Sequence, residues 1–138
     1  MTVTDVPVAA NNFTIIPMPY VALAKQLTGY TITAAGVIEA RFRVRMDNIG
    51  QGNLTNAAIT DQLSGAFSRF GTYTSGALTP GTYTASAVDI AACPGAVINA
   101  GYNGGSDTLL ASGFALAAGA SCRVELTVRV LPDSTAIA

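Results

Sequence analysis

The sequence of 138 residues lacks several side chains on which enzymes and metal sites depend. It has no histidine, which excludes Ser-His-Asp and Cys-His nucleophile systems and histidine-based metal sites. It has only two cysteines, too few for a structural zinc site without other ligands. No glycine-rich stretch matches a phosphate-binding loop. We therefore expect a protein that is not an enzyme and that has no cofactor and no metal.

Charged residues are also scarce, at 11% of the chain with a formal net charge of −1. This balance gives no electrostatic reason to expect a nucleic acid or an anionic membrane surface as a partner. No run of about 18 apolar residues occurs, so the sequence predicts no membrane span. The first residues lack the basic start and apolar middle of a signal peptide. These features leave a cytosolic protein, a mature fragment or one module of a longer exported protein.

Two long stretches alternate apolar and charged residues. In 37–50 (VIEARFRVRMDNIG) and in 122–131 (CRVELTVRVL) every second side chain is apolar. A period of two predicts an extended strand with one face on a core and one face in water. Side by side, the two strands would set Glu125 against an arginine of the first. We predict one core that contains Ile38, Phe42, Val44, Val124, Leu126 and Val128.

Shorter segments of similar character occupy much of the remaining chain. We predict strands at 20–27, 54–61, 82–90 and 97–99, with 29–33 either continuing the first of these or pairing beside it. Leu109, Leu110 and Leu116 are interpreted as isolated apolar anchors. Turn residues separate the strands and no segment has a helical period. The sequence therefore predicts an all-β protein, an antiparallel β-sandwich domain over residues 20–138.

The first 19 residues form a region of their own. Its apolar side chains would be costly to leave in water, and Pro17 and Pro19 mark its end because proline cannot donate to a sheet ladder. We predict an extended N-terminal arm that packs on its own chain or on a neighbouring one; the alternative is a flexible leader. The residues that carry this arm are Val3, Val6, Val8, Phe13, Ile15 and Ile16.

The order of these segments resembles the tandem conserved-repeat modules of prokaryotic cell-surface proteins. The matching residues, within about 20–131, are Asn48-Ile49-Gly50, Ile59-Thr60-Asp61-Gln62-Leu63, Tyr102-Asn103-Gly104, Asp107-Thr108-Leu109-Leu110 and Leu116-Ala117-Ala118-Gly119-Ala120-Ser121. The resemblance implies an immunoglobulin-like sandwich at the cell surface or outside the cell. Modules of that family have one more strand after the Val-rich one, whereas only a short segment follows Pro132. A missing edge strand exposes an apolar groove.

The resemblance implies a structural role as a spacer, a stalk or an adhesive surface. We expect a subunit or module that self-associates into a homopolymer or tandem array, with a filament formed when the arm of one copy adds a strand to the next. The alternative is an adhesin that binds a carbohydrate or a host protein through its loops. An aromatic patch formed by Tyr73, Tyr83 and Tyr102 would favour that alternative. The sequence identifies no small-molecule ligand.

Cys93 and Cys122 have two interpretations. In an exported module, the even cysteine count predicts a disulfide between them. In a reducing compartment they would be two buried thiols.

Lys25 is the only lysine and also has two interpretations. It is either an ordinary exposed lysine or one half of a cross-link to an asparagine carboxamide, as in some surface modules. The cross-link needs a desolvated, neutral amine and would join Lys25 to Asn11 or Asn12, with Asp61 assisting. Asp47, Asp61 and Asp107 are otherwise interpreted as turn residues rather than as a catalytic pair or a calcium ligand.

Overall fold

The computed structural model describes residues 16–63, 65 and 71–133. This part of the chain forms two β-sheets. The larger has the strand order β1-β2-β8-β5-β4 and the smaller has the order β3-β7-β6. The strands are β1 Val21–Ile32, β2 Ile38–Asn48, β3 Leu54–Thr60, β4 Thr72–Tyr73, β5 Thr82–Ala91, β6 Val97–Ile98, β7 Leu109–Leu116 and β8 Ser121–Leu131. The predicted all-β class is confirmed.

The two strongly alternating stretches are neighbours, β2 and β8, in the middle of the larger sheet. They pair antiparallel, with Val44 opposite Val124 and Phe42 opposite Leu126. The predicted cross-strand ion pair is present, since Arg43 Nε lies 2.7 Å from Glu125 Oε1. Both side chains are partly exposed, so the pair contributes about 0.2 to 1 kcal/mol.

The core lies between the two sheets and contains most of the predicted residues. Val44, Val124, Leu126 and Val128 are buried together with Ile59, Leu110, Phe114 and Leu116 of the smaller sheet. Phe42 is partly buried and packs against this core, as predicted, whereas Ile38 is partly buried and is not part of it, so the prediction is wrong for Ile38. Both side chains point inward, on the same face of β2 as the buried Val44 and Met46.

The segment 109–116 differs from its prediction, because it forms the central strand β7 of the smaller sheet rather than isolated anchors. A central strand is covered along both of its edges, and Leu110 and Ala111 are both fully buried. Its alternation is interrupted at Gly113, whose φ is +78° and where the pairing register with β3 shifts. This bulge and the small residues around it hide the period of two on which a sequence prediction depends.

The segments 20–27 and 29–33 form a single strand, β1, with a bulge between Leu27 and Gly29. The chain before β1 runs along the β2–β3 turn, where Gln51 N donates to Met18 O at 3.1 Å. A Cβ added to Gly50 would lie 2.3 Å from the same oxygen, so this close approach requires glycine. Residues 1–15, with most of the predicted arm, lie outside the described residues. The described part has no helix of the length and apolarity that crossing a bilayer requires.

Candidate functional site

The edge strand β1 presents an uncovered apolar face. Its register with β2 places Leu23 beside Met46 and Leu27 beside Phe42, on the side of the sheet that faces the core. Nevertheless Leu23 is 57% exposed and Leu27 is 50% exposed, whereas Met46 is buried. We call this surface the open face; its members are Val21, Leu23, Lys25, Leu27, Tyr30 and Ile32.

The open face exists because the two sheets differ in width. The larger sheet has five strands and the smaller has three, with β3 at the edge nearest to the open face. Among the described residues β3 pairs only with β7, so its other edge has free backbone donors and acceptors. One more strand beside β3 would pair with that edge and cover the inward side chains of β1.

One polar contact crosses the uncovered side of the sandwich. Lys25 Nζ of β1 lies 2.7 Å from Asp61 Oδ2, directly after β3. The same oxygen accepts a hydrogen bond from Tyr102 Oη at 3.1 Å, and the Lys25 ammonium lies 4.9 Å from the centre of the Phe42 ring. Burial, with the Asp61 charge and hydrogen bond as smaller causes, raises the pKa of Tyr102 far above its usual range. Tyr102 is therefore a neutral hydrogen-bond donor at physiological pH.

Asn48, a buried polar residue at the end of β2, joins two of the motifs quoted for the family resemblance. Its Nδ2 donates to Gly52 O at 2.8 Å and to Leu116 O at 3.0 Å, and its Oδ1 accepts from Gly50 N at 3.2 Å. The Asn48-Ile49-Gly50 turn is thereby fixed to the turn that follows β7. Because all these polar groups are satisfied, the motif has a structural explanation and needs no ligand.

Two further motifs of the family resemblance, the one that ends at Leu63 and the one that ends at Gly104, are in contact. Leu63 N donates to Gly104 O at 2.7 Å. A Cβ at Gly104, where φ is +68°, would lie 2.6 Å from the Leu63 side chain. The Asn103 side chain closes the loop by accepting from Gly105 N at 2.8 Å and from Asp107 N at 3.0 Å. These loop glycines and asparagines therefore position the end of β3 and Tyr102 beside the open face.

The three aspartates considered from the sequence have separate partners. Asp47 lies on the outer face and accepts hydrogen bonds from Ser121 Oγ and Arg45 Nε, which hold the pKa of its carboxyl below the usual range. Asp61 lies on the inner side with Lys25 and Tyr102, so the two do not form a carboxylate pair. Their described contacts are with side chains rather than with the turn amides we predicted. Asp107 accepts from Asn99 Nδ2 at 2.9 Å and Leu109 N at 3.1 Å, as expected of a turn residue.

The tyrosines do not form the aromatic loop patch that would favour a carbohydrate-binding module. Tyr83 and Tyr102 are buried in the core, and only Tyr73 is exposed. The Tyr73 ring packs edge-on against Tyr83, with centroids 5.8 Å apart. The two most exposed tyrosines in the described part are Tyr20 and Tyr30, at the two ends of β1. In the described part of the chain, the most exposed tyrosine side chains therefore lie in β1 and directly before it.

The predicted disulfide between Cys93 and Cys122 is present. Cys122 is buried at the start of β8, and Cys93 follows the end of β5. The disulfide therefore joins the ends of two neighbouring strands of the larger sheet, away from the open face.

The residues of the predicted cross-link are only partly described. The structure brings Lys25 and Asp61 together as an ion pair, with the Lys25 side chain 34% exposed. Asn11 and Asn12 lie outside the described residues, so a cross-link to either remains a prediction. It would lower the intact mass by one ammonia.

A scan against protein-family models, a search of curated proteins and a search of solved structures each found no significant match. The resemblance to cell-surface repeat modules therefore rests on the motifs alone.

Proposed function

We propose that the chain is a structural subunit or module of an extracellular cell-surface assembly, built by strand exchange between copies. The observation that carries this proposal is the open face, a row of inward-directed apolar side chains left exposed beside the free edge of β3. Monomeric domains rarely leave such a contiguous apolar surface uncovered, so it is typical of an interaction site. The immunoglobulin-like sandwich implied by the resemblance is consistent with the two-sheet core.

The N-terminal arm of a neighbouring copy is the occupant we propose for the open face. Ile16, where the described chain begins, is 74% exposed, and Pro17 to Tyr20 are fixed on the β2–β3 turn. The arm therefore joins the body at one end of the sandwich. Val3, Val6, Val8, Phe13 and Ile15 are the apolar side chains it supplies, and burying each contributes about 1.5 to 3 kcal/mol before ordering costs.

An added strand suits both parts of this site. Its backbone can pair with the free edge of β3, and alternate side chains can pack on Leu23, Leu27 and Phe42. Because each copy donates an arm to one neighbour and receives an arm from another, the contact is head-to-tail and forms a filament unless the rotation closes a ring.

The disulfide supports an extracellular location. Disulfides form and persist in oxidising compartments and are rare in reducing ones. The Cys93–Cys122 bond is thus the feature that favours the extracellular form of this proposal over a cytosolic one.

The test compares polymer formation by matched variants, using size-exclusion chromatography and electron microscopy. Deletion of residues 1–16 and the substitution Leu27→Asp on the open face should each abolish polymers and leave a folded body. Val97→Asp is the matched control, because Val97 on β6 is 66% exposed and lies far from the open face in the strand order. Equal polymerisation by Leu27→Asp and Val97→Asp would contradict the proposal.

A second measurement separates exchange between copies from insertion of the arm into its own chain. Hydrogen exchange of residues 1–15 is followed while the full chain is diluted. Exchange between copies predicts protection of the arm only in polymers. Protection in a monomer that persists at all concentrations would show self-insertion and would reject the filament.

A further inference from the structure

The outer face of the larger sheet carries an arginine that has no carboxylate partner among the described residues. Arg41, Arg43, Arg45 and Arg129 are each within 4 Å of a glutamate or aspartate; the distances are 3.0, 2.7, 2.8 and 3.6 Å. Arg123 also lies on this face but has no ion pair or side-chain hydrogen bond within the described residues. Among the described residues it is therefore the outer-face arginine without a carboxylate partner.

The register places Arg123 opposite another arginine. Arg45 of β2 is directly opposite Arg123 of β8. Like charges in directly opposed positions on one face destabilise a sheet. Each of the other arginine positions on β2 faces a threonine or a glutamate of β8: Arg41 faces Thr127 and Arg43 faces Glu125. The Arg45–Arg123 pair is thus the like-charged exception in this ladder.

The arginine pair lies in a surface depression. In the same row of the sheet, Arg45 is flanked by Ala24 of β1 and Arg123 by Ala91 of β5, so small side chains leave space on both sides. The depression has a volume of about 420 Å³. Its lining residues are Arg43, Arg45, Ala91, Ala92, Ser121, Cys122 and Arg123. Such a space holds a small polyatomic group together with part of a larger ligand.

The backbone at the rim of the depression is also unusual. Ala92 has a φ of +59°, a left-handed conformation that residues with a Cβ seldom adopt. Such backbone conformations cluster at binding sites, where the surrounding structure supports their cost. The disulfide at the adjacent Cys93 fixes this segment to the start of β8. The wall of the depression is thus held in place before any ligand binds.

The carboxylates around the depression are already engaged. Asp47 accepts from Arg45 Nε at 2.8 Å, and Glu125 accepts from Arg43 Nε at 2.7 Å. Asp89, which is opposite Glu125, accepts from Ile90 N at 2.8 Å. The hydroxyl of Ser121 bridges Arg45 and Asp47. These contacts orient Arg45, and no side chain in the described part of the chain accepts a hydrogen bond from the Arg123 guanidinium.

We propose that this depression is a binding site for an oxyanion group, held by the guanidinium groups of Arg45 and Arg123. Guanidinium forks bind carboxylate, sulfate and phosphate oxygens through paired, charge-assisted hydrogen bonds. An oxyanion between the two arginines also converts their repulsion into two attractive contacts. The site lies on the outer face and does not depend on the strand exchange proposed for the open face.

The test is a titration followed by nuclear magnetic resonance of the arginine Nε–H groups, at constant ionic strength maintained with sodium chloride. Inorganic phosphate should give saturable shifts at Arg45 and Arg123 but not at Arg41 and Arg129, with a Kd of about 1 to 10 mM. Parallel titrations with sulfate and acetate identify the preferred oxyanion. A response to phosphate and sulfate alone assigns a tetrahedral group, and an equal response to acetate extends the site to carboxylates.

Two matched variants decide whether the response belongs to this site. Arg123→Gln should abolish the saturable shifts, whereas Arg129→Gln, on the same strand and the same face, should retain them. Absence of saturation with all three anions, or saturation that persists in Arg123→Gln, would overturn the proposal.

Thermal unfolding gives an independent measurement. Without oxyanions, Arg123→Gln should have a slightly higher Tm than the wild type, because it removes the unfavourable contact with Arg45. Phosphate should raise the Tm of the wild type and of Arg129→Gln, but not that of Arg123→Gln beyond the effect of matched salt. A lower Tm for Arg123→Gln in chloride alone would show that Arg123 already has a stabilising partner, and would reject the site.

Discussion

Two regions of the larger sheet, the closed side around β8 and the open side around β1, have the same alternating pattern of apolar residues. They differ in how far their inward side chains are buried. On β8, the inward side chains Val124, Leu126 and Val128 are fully buried, whereas on β1 the inward Leu23 and Leu27 are at least half exposed. On both strands the apolar side chains of one face point toward the smaller sheet. Alternation therefore fixes the face on which a side chain lies, whereas the width of the opposing sheet decides whether that face is covered. The closed side stabilises the body, whereas the open side keeps apolar side chains in contact with water.

The largest expected effect on stability comes from a comparison of two phenylalanines, Phe114 in the closed core and Phe42 beside the open face. Phe114 of β7 is completely buried, whereas Phe42 of β2 is only partly buried against the core. Phe114→Ala should lower the free energy of unfolding by about 3 to 5 kcal/mol, because it leaves a cavity in a closed core. Phe42→Ala should cost less, about 1 to 2 kcal/mol in the unassembled subunit, because part of that side chain stays exposed to water after folding.

Urea denaturation of the chain lacking residues 1–16 measures both values without interference from the arm. Repeating the measurement with a peptide of residues 1–16 added sharpens the comparison. If the peptide covers the open face, the cost of Phe42→Ala rises toward that of Phe114→Ala. Equal costs without the peptide would mean that the open face is already closed in the isolated body.

The second effect concerns the disulfide on the closed side. Removing the Cys93–Cys122 bond should cost about 3 to 4 kcal/mol on the chain-entropy model, because it frees a loop with a sequence separation of 29 residues. Denaturation before and after reduction, with the thiols then alkylated under denaturing conditions as a check on completeness, measures this cost. Because the bond is remote from the open face, the reduced body should still bind the arm peptide if it remains folded. A cost below about 1 kcal/mol would contradict its stabilising role.

Much of the fold could be predicted because most strands carry a clear period of two. The pairing of β2 with β8 and the disulfide followed from alternation and cysteine count. The strand β7 was missed because Ala111, Ser112 and Gly113 combine small residues with a bulge, which disrupts the period. The phase of β1 changes at its own bulge, so Leu27 and Tyr30 share a face although they are three residues apart.

The sites were harder to predict because they depend on juxtaposition across the chain. Lys25 and Asp61 are 36 positions apart, and Arg45 and Arg123 meet only through the register of β2 with β8. Ile38 and Phe42 are partly exposed although Val44 and Met46 on the same face of β2 are buried, a difference that no pattern within β2 records. A single sequence gives the face of each side chain but not the extent of the layer opposite to it.

A smaller effect is expected from Tyr102, at the border between the closed and open sides. Its folded pKa is raised by burial and by Asp61 above the unfolded value of 10.0. Its contribution to stability is therefore intact below about pH 10 and is lost as the pH rises, by up to about 1.4 kcal/mol per pH unit. Denaturation of the wild type and of Tyr102→Phe above that pH checks this. The wild type should lose stability more steeply, and identical slopes would show that Tyr102 titrates freely in the folded chain.

The smallest effect is expected from the Lys25–Asp61 ion pair, the polar contact that crosses the open side. Its side chains are 34% and 15% exposed, so solvent screening limits the coupling free energy to about 0.2 to 1 kcal/mol. A double-mutant cycle measures this coupling. It uses Lys25→Met, which keeps an unbranched side chain over Phe42, and Asp61→Asn, which keeps an oxygen that can accept the hydrogen bond from Tyr102. Chemical denaturation of the wild type, both single variants and the double variant gives the coupling, which should decrease as salt is added. A coupling of several kcal/mol that salt does not weaken would mean that this contact is desolvated and seals the sandwich. The open side would then be closed by its own ion pair, and the contrast with the covered strands around β8 would fail.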